Sequence, residues 1–457
     1  MHQFDLDNID FRLDSEYFKK EYLDLDKKID DFGYEKIGDF AYVTDGIHTS
    51  IDYCDSSNVR LLSAQSPKSN YFNLSRNVFI SKKAHSLNPR TALKLGDIGI
   101  STVGTIGNCA VITEDIIPAN CDRDLGIIRD TKGFFPNFLS TFLLTKFGRF
   151  QTTRESTGNV QLHLFLYKIR GIKVPKCSEV FQKCISELVN NAHELRLESK
   201  KLYENAENYL LLELEFSDLD KKLEGTENVN IKTYKSSYEV SGRLDAEFYQ
   251  PMYDKIDDLI NSLPEGNSKV TDEFEMNFTN YIPEKDKEYK YIELANISDN
   301  GVIDSYTLAT GNDLPSRARR KVQTGDILVS SIEGSLDSCA IVTKNLDGAI
   351  CSTGFYVLRP KKMSSEFALV LFKSKLIQNK LKQLASGTIL TSINKVDFLN
   401  LKIPKVSQDI QLELQKDLIL SSTALEKSNE LLSKAIDAVE LAVEKGEQKA
   451  FDFIERV

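Results

Sequence analysis

Hydrophobic residues in the first 32 positions recur among acidic ones at helical spacing, so residues 1–32 read as an acidic amphipathic helical segment carrying Arg12-Leu13-Asp14. From 33 to 176 the pattern changes to short β-type runs: Val59–Ser63, Val78–Ser81, Asp97–Val103, Cys109–Thr113 and Gly126–Arg129. Gly, Asn, Asp and Ser break these runs, as a twisted sheet with loops requires. A strand of the form lysine, hydrophobic, proline closes the region at Pro175. A long helix is expected over 177–216, where Phe181, Ile185, Leu188, Ala192, Leu195, Ser199, Leu202, Ala206 and Tyr209 alternate steps of four and three. Residues 217–265 hold a polar linker, Asp218–Lys235, and a second helical segment with Arg243-Leu244-Asp245. Another β-rich region spans 266–405, with runs at Tyr291–Leu294, Asp326–Ser331, Cys339–Thr343 and Gly354–Leu358. The last long helix, within 406–457, repeats the seam through Leu414, Leu418, Ser421, Leu425, Ser428, Leu432, Ala435, Val439 and Ala442. So narrow a seam marks a coiled-coil face. The other long helix is its simplest partner; each helix lying on its own domain is the alternative.

The two halves are copies of one unit. Arg12–Tyr17 recurs as Arg243–Phe248, Gly96-Asp97-Ile98 as Gly325-Asp326-Ile327, and Cys109–Ile112 as Cys339–Val342. Cys121 and Arg129 return as Cys351 and Arg359, Ser156-Thr157-Gly158 as Ala385-Ser386-Gly387, and Ile172–Pro175 as Leu401–Pro404. The offset stays between 229 and 231 throughout. Collinear matches at so constant a shift indicate a duplication. The fold class expected is α+β: two tandem repeats, each a β-rich domain followed by a long helix.

Composition adds bounds. A chain of 457 residues, 41% hydrophobic and 28% charged, suits two to four globular domains. It has no apolar run of about 20 residues and its start is acidic, so a cytoplasmic location is expected. Seven cysteines without a CxxC pair argue against zinc and for reduced, mostly buried thiols. The net charge of -10 is unevenly spread. Residues 33–175 have 17 basic against 12 acidic side chains, and 266–404 have 18 against 16. Those surpluses of 5 and 2 leave -17 for the rest, so nucleic acid is permitted at the β-rich regions and disfavoured elsewhere.

Catalytic patterns are missing. No phosphate loop or dinucleotide fingerprint occurs. The only Asn-Pro, Asn88-Pro89, runs on to Arg90 and cannot form the Asn-Pro-Pro-aromatic stretch of an amino-methyltransferase. All five histidines fall in the first half, so the two copies share no histidine chemistry.

Duplicated domain and separator helix, taken twice, resemble the specificity subunits of type I restriction-modification systems over nearly the whole chain. The stretches that carry the likeness are Thr44-Asp45-Gly46-Ile47-His48-Thr49, Leu95 to Gly107 around Gly96-Asp97-Ile98, and Ser316 to Lys321 leading to Gly325–Ser330. The resemblance implies two target-recognition domains, each reading half of a bipartite DNA site, and antiparallel helices that set the spacing. It further implies two modification subunits that bring S-adenosylmethionine and methylate adenine, with restriction subunits joining in some complexes. The chain itself would need no cofactor or metal and perform no catalysis. The second copy lacks the Asp-Gly-x-His stretch, and Glu333-Gly334-Ser335-Leu336 replaces the first copy's Gly-Thr-Ile-Gly loop. The two domains should therefore read different sequences.

Base edges are read by Arg, Lys, Asn, Gln and hydroxyls, and phosphates by Lys and Arg. In the first copy the candidates are His48, Thr49 and Ser50, on either a groove-reaching loop or an ordinary turn. Ser63, Gln65 and Lys68 leave a β-run together. Arg90, matched by Arg319, either contacts DNA or caps a strand. Thr105 and Ser335 occupy matching glycine loops. Asn159 and Gln161 either cap a helix or meet bases, with Thr388 in the corresponding stretch of the second copy. Arg317, Arg319, Arg320 and Lys321 form the densest basic cluster and suit a phosphate clamp. The Gly-Asp pairs read as structural turns. A non-enzymatic coiled-coil scaffold with two ligand-binding β-rich domains is the rival function; an acidic DNA mimic fits the local charge less well.

Overall fold

The computed structural model describes residues 15, 17–74, 78–158, 161–224, 229–298, 300–386 and 391–455. They form a mixed α+β structure of long helices and small sheets. Arg12-Leu13-Asp14 lies outside the described residues. The chain divides into two compact units, Met1–Arg196 with Leu425–Val457, and Leu197–Ala424.

In the first unit the strands are β1 (Tyr34–Lys36), β2 (Tyr42–Asp45), β3 (Val59–Leu62), β4 (Val78–Ile80), β5 (Ile98–Ser101), β6 (Cys109–Val111), β7 (Ala119–Cys121), β8 (Leu125–Arg129) and β9 (Lys173–Pro175). An antiparallel sheet has the order β2-β8-β5-β6. A smaller sheet, β4-β3-β7, carries one parallel pairing, and β1 pairs with β9. Strand β5 is buried on both faces. Alternation explains how: Ile98, Ile100 and Ile128 join the core under the helices, whereas Leu125 and Ile127 join Leu62, Ile112 and Cys121 on the other side.

The second unit contains β10 (Asn267–Lys269), β11 (Phe274–Met276), β12 (Glu288–Ile292), β13 (Thr307–Thr310), β14 (Ala318–Lys321), β15 (Ile327–Ser330), β16 (Cys339–Ile341), β17 (Ile350–Ser352), β18 (Phe355–Pro360), β19 (Ala385–Ser386), β20 (Ser392–Ile393) and β21 (Lys402–Pro404). Its sheets run β11-β18-β15-β16 and β13-β12-β17-β14, with β10 on β21 and β19 on β20. The register of Ile98 on Val111 and Ile128 has its counterpart in Ile327 on Ile341 and Leu358.

Helices also lie inside both β-rich regions: Pro136–Leu144, Lys146–Glu155 and Leu166–Gly171, then Ser365–Lys373, Lys375–Leu384 and Lys395–Asn400; of the first three, the residue pattern indicated only the one that follows Gln161. Phe138 to Leu144 are all buried, as are Phe367 to Phe372. A helix covered on every side shows no amphipathic period. The side chains of Thr145 and Ser374 start the second helix of each trio by accepting from Gly148 N and Ile377 N. The Arg243-Leu244-Asp245 motif, expected on a helix, instead forms an irregular turn ahead of Pro251–Asn261, since Arg243 folds back onto Asp245 and onto the carbonyls of Leu384 and Ala385.

The two Gly-Asp turns are built alike. Asp97 Oδ2 accepts from Lys94 N at 2.9 Å and meets Arg129 Nη2 at 2.5 Å. Asp326 Oδ2 accepts from Gln323 N at 2.9 Å, and Arg359 Nε reaches its other oxygen at 3.1 Å. Burial raises the Asp97 carboxyl above its ordinary range against the pull of Arg129.

Both long helices, Glu179–Glu213 and Gln408–Lys445, contribute to each unit. In the first unit Phe181, Ile185 and Ala192 share a core with Leu432, Ala435, Val439 and Ala442, and Ser428 Oγ donates to Ala192 O at 2.7 Å. In the second, Ala206 and Leu210 share a core with Leu414 and Leu418, and Ser421 Oγ donates to Ser199 O at 2.7 Å. The buried surface is broader than the narrow seam read from spacing. Val189, Gln182 and Tyr203 are buried too, and Gln182 Oε1 accepts from Phe135 N at 3.1 Å. Each segment therefore packs on its β-rich region as well as on the facing helix.

Candidate nucleic-acid interface

In the first unit, strands β2, β5 and β7 end where β8 begins, so their loops emerge at one end of the sheets. Backbone bonds tie these loops together: Ile47 N to Cys121 O at 2.9 Å, Asp122 N to Leu62 O at 3.0 Å, and Leu164 N to Thr102 O at 2.9 Å. Gly46 is required by close approach, because a Cβ there would sit 2.1 Å from the Asp122 carbonyl oxygen. His48, Thr49 and Ser50 are exposed on the loop after β2, with His48 Nε2 2.7 Å from Asp45 Oδ2. Thr105 and Gln161 are exposed on neighbouring loops, joined through the bridge between Val103 and His163. Ser63, Gln65 and Lys68 follow β3, and Ser101 Oγ donates to Ala64 O beside them. These first-copy candidates thus come together, apart from Asn159, which lies outside the described residues.

Arg90 is partly committed to the fold. Its guanidinium donates to Thr44 Oγ1, to Asp45 O at 3.0 Å and to Gly46 O at 3.1 Å, so it holds the root of the His48 loop. Beside that loop, burial raises the Asp122 carboxyl to about 6, against the bond it accepts from Asp124 N.

The second unit has the same plan at its sheet end: Ser331 N bonds Gly354 O, Thr353 N bonds Arg317 O and Ile393 N bonds Ser331 O, all within 3.0 Å. Arg317, Arg319, Arg320 and Lys321 run from this end along the edge strand β14. Arg317 and Lys321 are exposed, Arg319 Nε donates to Ser316 O, and Arg320 donates to Asn280 Oδ1. Ser335 does not reach the surface: it is buried, its hydroxyl 3.3 Å from Ser330 Oγ. The short helical turn Glu333–Ser335 points that side chain inward, so the expected contact at Ser335 is corrected to a structural role. Thr388 falls outside the described residues.

Residues 256–435 match the family model for the type I restriction modification DNA specificity domain. No curated protein matches the chain. Among solved structures, the type I restriction-modification system S subunit from M. genitalium is 11% identical, with 90% of this chain and 95% of that one covered and a TM-score of 0.35. The HsdS subunit from Thermoanaerobacter tengcongensis is 15% identical, with 91% and 97% covered and a TM-score of 0.29. A structure described as underlying complex assembly and conformational transition of the type I R-M system is 13% identical, with 91% and 98% covered and a TM-score of 0.29.

Within the matched residues 256–435, sequence reasoning passed over Asn280, which receives Arg320, and Phe278, which is half-exposed with Lys395 Nζ 3.1 Å from its ring centre. In the first unit it passed over the stacked rings of His163, Phe165 and Tyr167. An alternation of aromatic residues was visible there, without a sign that they face solvent. Among the described residues no helix is long and apolar enough to cross a membrane.

Proposed function

We propose that this chain is the DNA specificity subunit of a type I restriction-modification complex and does no chemistry itself. The observation that carries the reading is the specificity-domain match over residues 256–435, in a unit whose polar and basic loops gather at one sheet end. On this proposal residues 33–176 and 266–405 are two target-recognition domains, each reading half of a bipartite double-stranded DNA site. The helices of 177–216 and 406–457 pair as an antiparallel coiled coil, residues 1–32 and 217–265 being the helical and linking segments between. The pairing is supported by the contacts of Ser428 with Ala192 and of Ser421 with Ser199, which are images of one another at the repeat offset of 229. Two modification subunits bind this frame and supply S-adenosylmethionine; restriction subunits join where cleavage occurs. His48, Thr49, Ser50, Ser63, Gln65, Lys68, Thr105, Asn159 and Gln161 read or flank the first half-site. Arg317, Arg319, Arg320, Lys321 and Thr388 serve the second, and Arg90 supports the first.

The helices act as the ruler. At about 1.5 Å per residue the 35 residues of Glu179–Glu213 span about 50 Å. The test is methylome sequencing of cells expressing the chain with its modification subunits. A bipartite adenine motif is expected, and the purified chain alone should transfer no methyl group. Seven residues inserted after Arg196 and after Ala424 leave each unit whole and add about 10 Å. The gap should then lengthen by up to about three base pairs at roughly 3.4 Å each, with the half-site bases unchanged. Methyl transfer by the lone chain would overturn the assignment; an unaltered gap in an active complex would remove the ruler.

A further inference from the structure

Each unit fastens a loop of its β-rich region to the long helices, and the two fastenings differ. In the first unit the Arg196 guanidinium lies 3.6 Å from the centre of the Tyr71 ring, and its Nη2 donates to Asn429 Oδ1 at 2.6 Å. One side chain thus joins both long helices to the loop that bears Ser63, Gln65 and Lys68. That loop is stiff at its root. Asn70, at φ 63, is buried; it donates to Thr141 Oγ1 at 2.9 Å and accepts from Ser140 Oγ at 2.6 Å.

The second unit uses hydroxyls and an amide. Asn300 Nδ2 donates to Ser199 Oγ at 2.9 Å, and the buried hydroxyls of Ser199 and Ser421 are 3.0 Å apart. Ser298 Oγ orients Asn300 by donating to its Oδ1 at 2.7 Å. Gly301, at φ 75, packs so closely that a Cβ would meet the Leu369 side chain at 2.6 Å. Asn70 and Asn300 stand at matched positions, 230 residues apart.

We infer that Tyr71–Arg196–Asn429 and Asn300–Ser199–Ser421 are brackets that fix the angle of each β-rich region on its helix segments, and thereby the gap between half-sites that the complex accepts. Tyr71, Arg196, Asn300 and Ser199 are positioning residues: they touch no base and act through the loops they hold. The inference rests on the DNA-reading proposal above. Helix length sets the coarse distance. A base pair occupies only about 3.4 Å along the duplex, so a small tilt at a bracket moves the reading loops by a whole step. Stacked guanidinium and amide–hydroxyl contacts are directional and resist such a tilt.

The test compares methylomes of cells carrying the full chain with its modification subunits. Tyr71→Ala, Arg196→Ala and Asn300→Ala should raise methylation at gaps one base pair longer or shorter at least fivefold relative to the preferred gap, with half-site bases unchanged. Tyr71→Phe keeps the ring and should retain the single gap. Should Tyr71→Ala fail to fold, Asn429→Ala at its half-buried position is expected to broaden the gap in its place. A loss of melting temperature with an unbroadened gap in every folded variant would show brackets that are merely structural, overturning the inference. A wild-type chain with no bipartite motif would instead overturn the DNA-reading proposal, and this one with it.

Discussion

The sheet ends of the two units share a frame and differ in what they present. Asp122 and Ser352, 230 residues apart, do the same local work: Asp122 Oδ1 accepts from Asp124 N at 3.0 Å, and Ser352 Oγ accepts from Gly354 N at 3.2 Å. One leaves a half-buried carboxylate beside the root of the His48 loop and the other leaves none. The Gly-Asp turn and its arginine recur in both units, while the Arg90 side chain grips the loop after β2 and the Arg319 side chain donates to Ser316 O within its own turn. Scaffold positions thus keep their chemistry while loop positions diverge, as the proposal of two domains with different half-sites requires.

The largest contrast expected is in the ion pairs. Arg129 and Asp97 are both buried, with side-chain exposures of 7% and 4%, whereas Arg359 is 44% exposed over an Asp326 at 1%. Arg129→Ala should cost about 3–5 kcal/mol by stranding a buried carboxylate. Arg359→Ala should cost less, about 1–2 kcal/mol, because water already reaches that guanidinium and screens the pair. Urea denaturation of the full-length variants measures both; equal costs would show that burial is not what separates the two turns.

Next in size is the asymmetry in DNA binding. Changing Arg317, Arg319, Arg320 and Lys321 to Ala should weaken binding by the assembled complex at least about tenfold and flatten its salt dependence, by roughly 0.9 in log–log slope for each phosphate no longer neutralised. Changing His48, Thr49 and Ser50 to Ala should leave that slope alone and relax base choice in one half-site, at about 1–3 kcal/mol for each base pair read. Titrations at several salt concentrations decide the matter, and identical slopes for all variants would place the phosphate clamp elsewhere.

The smallest effect belongs to Asp122. Burial raises its carboxyl to about 6, so the folded state binds the proton more tightly than the unfolded chain does. The contribution of this group to stability is therefore fullest below about pH 4 and declines as pH rises through about 6. Asp122→Asn should raise stability at pH 7 by on the order of 1 kcal/mol and change little at pH 4. Melting curves at the two pH values test this, and a gain of the same size at both would exclude the carboxylate as the cause. Ser352→Ala, with no charge to remove, should show no such pH window.

The strands were legible in the sequence because short β-type runs buried on both faces, as at Ile98–Ser101 and Ile327–Ser330, begin after Gly-Asp turns and are broken by turn residues. The matches between the halves were legible because similar turns and strand cores demand the same residue types, here at one offset. Helices covered on all sides, such as Pro136–Leu144, left no period to read.

Sequence by itself determined the matches between the two halves at one offset, the long helices, and the polar and basic residue types proposed for DNA contact. Only tertiary structure decided which of those residues are free to act. It turned Ser335 inward, spent part of Arg90 on the root of a loop, and joined Tyr71 to Arg196 and Asn300 to Ser199. The physical reason is that side-chain direction and hydrogen-bond partnership are set by neighbours distant in the chain, which spacing along a single sequence does not encode.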